Sequence, residues 1–119
     1  MLLLENIEYS DYDRESVKLF IEKNHLKKYL LGRNEYSKEL LKIIKIDGII
    51  DDYSEEKEFK GVPIIKLKNI GINSIIVSCS NLKPITAKKN IDKFGIRNID
   101  IFLFWRLSGI KIKSMSYME

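Results

Sequence analysis

The segment Gly32-Arg33-Asn34-Glu35-Tyr36-Ser37 lies between a short apolar run and an amphipathic stretch. Its spacing is that of the glycine-rich turn G-x-G-x-x-G, in which a strand turns sharply into a helix and backbone amides receive a pyrophosphate. Gly32 takes the first glycine position, Asn34 the second and Ser37 the third. Asparagine tolerates left-handed backbone better than other residues with a Cβ, and serine is small enough for close helix packing, so the turn can form. A side chain at Asn34, however, crowds the place where a pyrophosphate would meet the backbone. Gly32, Arg33, Asn34, Glu35 and Tyr36 are therefore candidate binding residues, on a motif with one glycine of three.

Two further segments could add to that turn. Asp51 follows Gly32 by 19 residues, near the spacing at which a carboxylate grips a ribose hydroxyl in dinucleotide-binding folds. Asp51 and Asp52 also read as a simple stop to a strand and the start of a solvated loop. Ser78, Cys79 and Ser80 end the most strand-like stretch of the chain, where hydroxyls and a backbone turn are suited to a phosphate, ribose or sugar. The Cys79 thiol has no histidine placed by sequence to activate it, since His25 precedes the first strand, and it reads as a buried structural thiol. Glu55, Glu56 and Glu58 read as a charged loop rather than as paired catalytic acids.

The elements that must position these groups alternate. Asp11 to Asn24 reads as a helix, with Val17, Phe20 and Ile21 at helical spacing and Ser10 or Asp11 as its cap. Lys28 to Leu31 is too short for a helix and suits a buried strand. Glu35 to Ile44 is helical, Ile46 to Ile50 a second strand, and Tyr53 to Lys60 a polar surface loop. Val62 to Leu67 is a third strand, and Pro63 places it at an edge or falls at the strand's first residues. Ser74 to Ser78 is a fourth, followed by a helix from Pro84 to about Gly95. Ile99 to Phe104 reads as the last strand, and residues 106–119 carry no clear pattern. Strands alternating with helices predict a Rossmann-like three-layer α/β domain with a mostly parallel sheet of about five strands. Residues 1–26 would form an N-terminal segment and helix, 27–105 the core, and 106–119 a tail or the start of a linker. One connection strains this picture. Leu67 to Ser74 is shorter than a parallel crossover usually needs, and a single helical turn is the expected solution.

Bulk properties narrow the classes. A chain of 119 residues, 45% hydrophobic and 32% charged, fits one globular domain rather than a disordered chain. One cysteine and one histidine exclude an intrachain disulfide, thiolate-pair metal sites and His-rich metal sites, so no metal is expected. No apolar run reaches the roughly 20 residues of a membrane helix, and Met1-Leu2-Leu3-Leu4 meets Glu5 too soon for a signal peptide. No membrane span and a cytoplasmic location follow as expectations. The net charge of +4 raises the possibility of nucleic acid. The basic residues are scattered among acids rather than gathered in a stripe with aromatic platforms, which predicts no nucleic-acid partner.

Tyr29-Leu30-Leu31-Gly32, the run from Glu35 to Leu41, Asp47 to Asp52, Phe59-Lys60-Gly61-Val62-Pro63-Ile64-Ile65 and Ser74 to Ser78 together resemble a bacterial pattern. It is that of the Rossmann-like N-terminal domain of surface-glycan biosynthesis enzymes. Such domains precede FkbM-family methyltransferase, sugar acyltransferase, and nucleotide-sugar dehydratase or epimerase domains. Phe20 to Asn24 and Lys27-Lys28 are most similar to the FkbM-type versions. The resemblance spans roughly residues 17 to 104. It implies a non-catalytic nucleotide or nucleotide-sugar binding module of a polysaccharide biosynthesis transferase, with Gly32, Asp51 and the Ser78 segment lining the pocket. The implied partners are the nucleotide and a catalytic domain C-terminal to this one. The alternative is a degenerate Rossmann domain without ligand that docks on another domain or forms a homodimer, with Trp105, Leu107 and Ile110 as the contact surface.

Overall fold

The computed structural model describes residues 9–80 and 84–110. The chain runs α1 (Asp11–Ile21), β1 (Lys27–Leu31), α2 (Glu35–Ile43), β2 (Gly48–Ile50), β3 (Glu58–Phe59) and β4 (Val62–Ile65). A 3₁₀ turn (Leu67–Asn69) leads to β5 (Ser74–Ser78), α3 (Pro84–Asp92), β6 (Arg97–Asp100) and α4 (Ile101–Ser108). The six strands form one sheet in the order β3-β4-β2-β1-β5-β6. Every pairing is parallel except that of β3 with β4. Without β3, the order is that of a Rossmann half-sheet (β4-β2-β1) with two strands, β5 and β6, added beyond it: the chain winds outward from β1 on one side, then crosses to β5 on the other. The fold is α/β and Rossmann-like.

Strand residues alternate between two cores, as the period of two requires. Leu30, Ile49, Ile75, Val77 and Ile99 face one layer with Val17 and Phe20 of α1, Leu40 of α2 and Phe104 of α4. Ile50 and Ile76 face the other, with Leu67 and Ile70 of the short turn, Ile91 of α3 and Ile96. α1 is held on its layer by Phe20, whose ring meets Phe104 edge-on at 5.5 Å. Polar bonds fix it further, from Arg97 Nη1 to Ser16 Oγ at 3.0 Å and from the Asn98 amide to Tyr12 Oη.

Three elements differ from the expectation, each for a local reason. The last strand ends at Asp100, and Ile101 to Phe104, expected as strand, is the start of helix α4. The Asp100 carboxylate accepts from the amides of Phe102 and Leu103, a cap that diverts the chain into a helix. An apolar run of this length does not distinguish a strand from a buried helix segment. The polar loop contains β3, making six strands rather than about five. Lys60 (φ 51°) and Gly61 (φ 85°) are both left-handed, the two-residue turn that matches hairpin twist, and β3 folds back on β4 through it. β4, for which Pro63 left an edge as one expectation, lies one strand in, with β3 outside it.

The short crossover is real. Residues 66–73 carry the chain from β4 past β2 and β1 to β5 with only one 3₁₀ turn. Three strand spacings are about 14 Å and the return along the strands about 15 Å, a diagonal of about 21 Å. Eight extended residues reach about 26 Å, so the link closes without a helix. Its consequence is a thin layer: among the described residues only α3 and the turn cover the sheet on that face.

Candidate functional site

Gly32 ends β1 at φ +93°, and its amide donates to the Ile50 carbonyl at 3.0 Å. The Cys79 amide donates to the Leu31 carbonyl at 2.9 Å. These bonds carry the β2–β1–β5 ladder to its carboxyl end, where the direction of winding reverses and Rossmann folds place their ligands. A cleft of about 540 Å³ opens there on the thinly covered face. Its apolar walls are Leu31, Ile50, Leu67, Ala87 and Phe94; Asp51, Asp52, Ser80, Thr86, Asn90 and Lys93 supply polar groups. Tyr53, almost wholly exposed at 98%, stands on the rim.

The sequence candidates divide within this geometry. Gly32, Asp51, Asp52 and Ser80 line the cleft. Asn34 instead caps α2. Its Oδ1 accepts from the Ser37 amide at 3.1 Å, the Ser37 hydroxyl accepts from the Asn34 amide at 2.7 Å, and its Nδ2 donates to the Cys79 carbonyl at 2.7 Å. The capping box that replaces the missing glycines thus occupies the gap between α2 and β5 where a pyrophosphate sits in dinucleotide-binding members of this fold. Glu35 is exposed and paired with Lys38, while Tyr36 is buried against Phe102. Neither reaches the cleft.

Arg33 and Asp51 meet at the rim. Arg33 Nε lies 3.0 Å from Asp51 Oδ2, its Nη1 3.2 Å from Glu56, and its guanidinium 5.6 Å from the Phe59 ring centre. Asp51 Oδ1 accepts from the Tyr53 amide, and Asp52 Oδ1 from the Leu67 amide at 2.7 Å. Both aspartates therefore brace loops as well as facing the cleft. Each carboxylate oxygen keeps a lone pair, so a further hydroxyl is still acceptable to Asp51.

Cys79 points away from the cleft into the core beside α1 and α2, and burial pushes its thiol well above its ordinary value. It is a packing residue. Ser78 is in register with Leu31, on the cleft side of the sheet, and is 2% exposed. Its hydroxyl is the buried side-chain polar atom that lacks a hydrogen-bond partner among the described residues. Such a group is costly unless something polar reaches it.

The sequence reading missed Tyr53, Thr86, Ala87, Asn90, Lys93 and Phe94. Thr86 and Asn90, at i and i+4, share one face of the helix that follows the central strand, and Lys93, at i+7, continues that line just past its end, which is the signal that would have found them. Trp105, Leu107 and Ile110, expected as an exposed contact surface, are half-buried and pack against the larger core. Among the described residues no helix is long and apolar enough to cross a membrane, and no three metal-ligating side chains converge.

No family model, curated protein or solved structure matches this chain.

Proposed function

We propose that this domain is a non-catalytic nucleotide or nucleotide-sugar binding module, of the kind that serves a glycan-biosynthesis transferase. The observation that carries the reading is the cleft at the point where the sheet reverses its winding, apolar within and polar at its rim. In this reading a planar base would lie between Leu31, Ile50 and Ala87, with Tyr53 or Phe94 as a lid. Asp51 and Ser80 would take ribose or sugar hydroxyls, and Lys93 a phosphate. Because Asn34 and Ser37 fill the α2 approach, the ligand enters from the α3 side. In this reading the cleft binds and does not react, and the chemistry would belong to a catalytic domain joined to this one.

Thermal-shift and calorimetric titrations with mononucleotides, uridine-diphosphate sugars, S-adenosylmethionine and nicotinamide cofactors test this. A ligand bound only by the folded state raises stability by RT ln(1 + [L]/Kd). The expected result is saturable binding by one class, abolished by Ala87→Trp, which fills the cleft, and weakened by Asp51→Ala. No shift from any class at millimolar concentration overturns the proposal.

One observation favours the second reading, a ligand-free docking or dimerisation domain. The Asn34 side chain, where a dinucleotide would approach, is already spent on Ser37 and Cys79, and Asp51 already pairs with Arg33. That reading predicts no ligand response and a concentration-dependent sedimentation coefficient.

A further inference from the structure

At the opposite end of the sheet the C-termini of α1 and α2 flank the amino ends of β1 and β2, leaving a groove of about 670 Å³. Its lips are Ile21 and Ile43, which are 42% and 51% exposed although both end amphipathic helices. Leu26, Ile44 and Ile110 continue the apolar lining. Around them stand Lys23, Lys27 and Lys45, all exposed, while the buried Lys28 bonds its ammonium to the Glu22 carbonyl. The lining contains one carboxylate, Asp47, whose Oδ2 is already taken by the Lys28 amide at 2.8 Å. Four lysines against one aspartate give the groove a net +3, most of the +4 of the whole chain.

Two helix C-termini attract lysines on their own account, each carrying about half a negative charge. That accounts for roughly one of the three excess positive charges. The remainder, placed beside two exposed isoleucines, is an amphipathic concave surface whose lining among the described residues offers no carboxylate beyond Asp47. Nucleic acid is a poor match because no Phe, Tyr or Trp lines the groove and His25 is a single ring rather than a run of stacking platforms. A bilayer is a poor match because the apolar residues sit in a concavity. We infer that this groove docks an acidic amphipathic segment of a partner protein, its apolar side chains between Ile21 and Ile43 and its carboxylates on Lys23, Lys27 and Lys45.

The test uses the full chain and a fluorescein-labelled ten-residue peptide of alternating glutamate and leucine, followed by anisotropy. Saturable binding is expected, weakened at least tenfold by Ile43→Asp and by Lys45→Glu, with affinity falling as salt rises. Both positions are exposed, and a circular-dichroism melt checks that each variant stays folded. Peptide affinity unchanged in both variants overturns the inference, as does equal binding of a ten-residue polyglutamate. Binding of phosphatidylserine vesicles or a single-stranded oligonucleotide in place of the peptide overturns it, in favour of a membrane or nucleic acid. So does self-association that Ile43→Asp abolishes, in favour of a second copy. The nucleotide cleft lies at the other end of the strands, so its titration is expected to be the same in these variants.

Discussion

The side-chain amide of Asn34 donates 2.7 Å to the carbonyl of Cys79 and thereby ties the start of α2 to the end of β5, across the point where the sheet reverses its winding. The same side chain caps α2 through the Ser37 amide. One residue closes the position that a glycine would leave open in a dinucleotide-binding turn. Loss of both bonds in Asn34→Ala is expected to cost about 1–2 kcal/mol. Asn34→Asp keeps the cap but loses the donor to Cys79, and should fall between Asn34→Ala and the parent in urea unfolding.

Gly32 is required by its backbone and not by space. A Cβ there would meet only the Ser80 amide nitrogen, at an ordinary 3.9 Å, but φ is +93°. Gly32→Ala is therefore expected to destabilise by about 1–3 kcal/mol through strain alone. Gly32→Asn should recover only part of that loss, since φ lies well beyond the usual left-handed basin. Chemical denaturation of the pair checks the ordering.

Arg33 and Asp51 form a half-buried pair, with side-chain exposures of 26% and 20%, inside a network that includes Glu56. A double-mutant cycle of Arg33→Ala and Asp51→Ala should return a coupling of about 1 kcal/mol. A coupling near zero would mean that the loop bearing Glu56 does not depend on this pair.

Phe104 decides whether α4 belongs to the core. It is fully buried against Phe20, so Phe104→Ala is expected to cost about 3–5 kcal/mol by leaving a cavity. Exposed Phe94, at 45%, serves as the comparison. Its alanine variant should cost far less while loosening any ligand in the cleft.

Alkaline pH gives a signed prediction. Burial raises the Cys79 thiol above its ordinary 9.0, and burial together with the Asp47 charge raises the Tyr29 hydroxyl above its ordinary 10.0. Both groups stay protonated in the folded chain while the unfolded chain ionises, so their contribution is whole below those ordinary values and is lost as pH rises beyond them. Unfolding free energy should begin to fall near pH 9 and fall more steeply near pH 10. Cys79→Ala should remove the first part of the slope and leave the second. In the folded parent, Cys79 should resist alkylation by iodoacetamide until the chain unfolds.

The parallel α/β architecture was legible in the sequence because short apolar runs such as Lys28 to Leu31 and Ser74 to Ser78 alternate with helical periods, and buried parallel strands admit little else. Gly32, Asp51 and Ser80 could be placed near one another because each ends or follows a strand on the same side. Tertiary context decided the rest. Ile101 to Phe104 is apolar enough for either a strand or a helix, and the Asp100 cap settles it as helix. Whether Asn34 welcomes a ligand or fills its place depends on the Cys79 carbonyl, 45 residues away. The cleft beside α3 stands open because an eight-residue link replaces a covering helix, a matter of reach between distant strands rather than of any local preference.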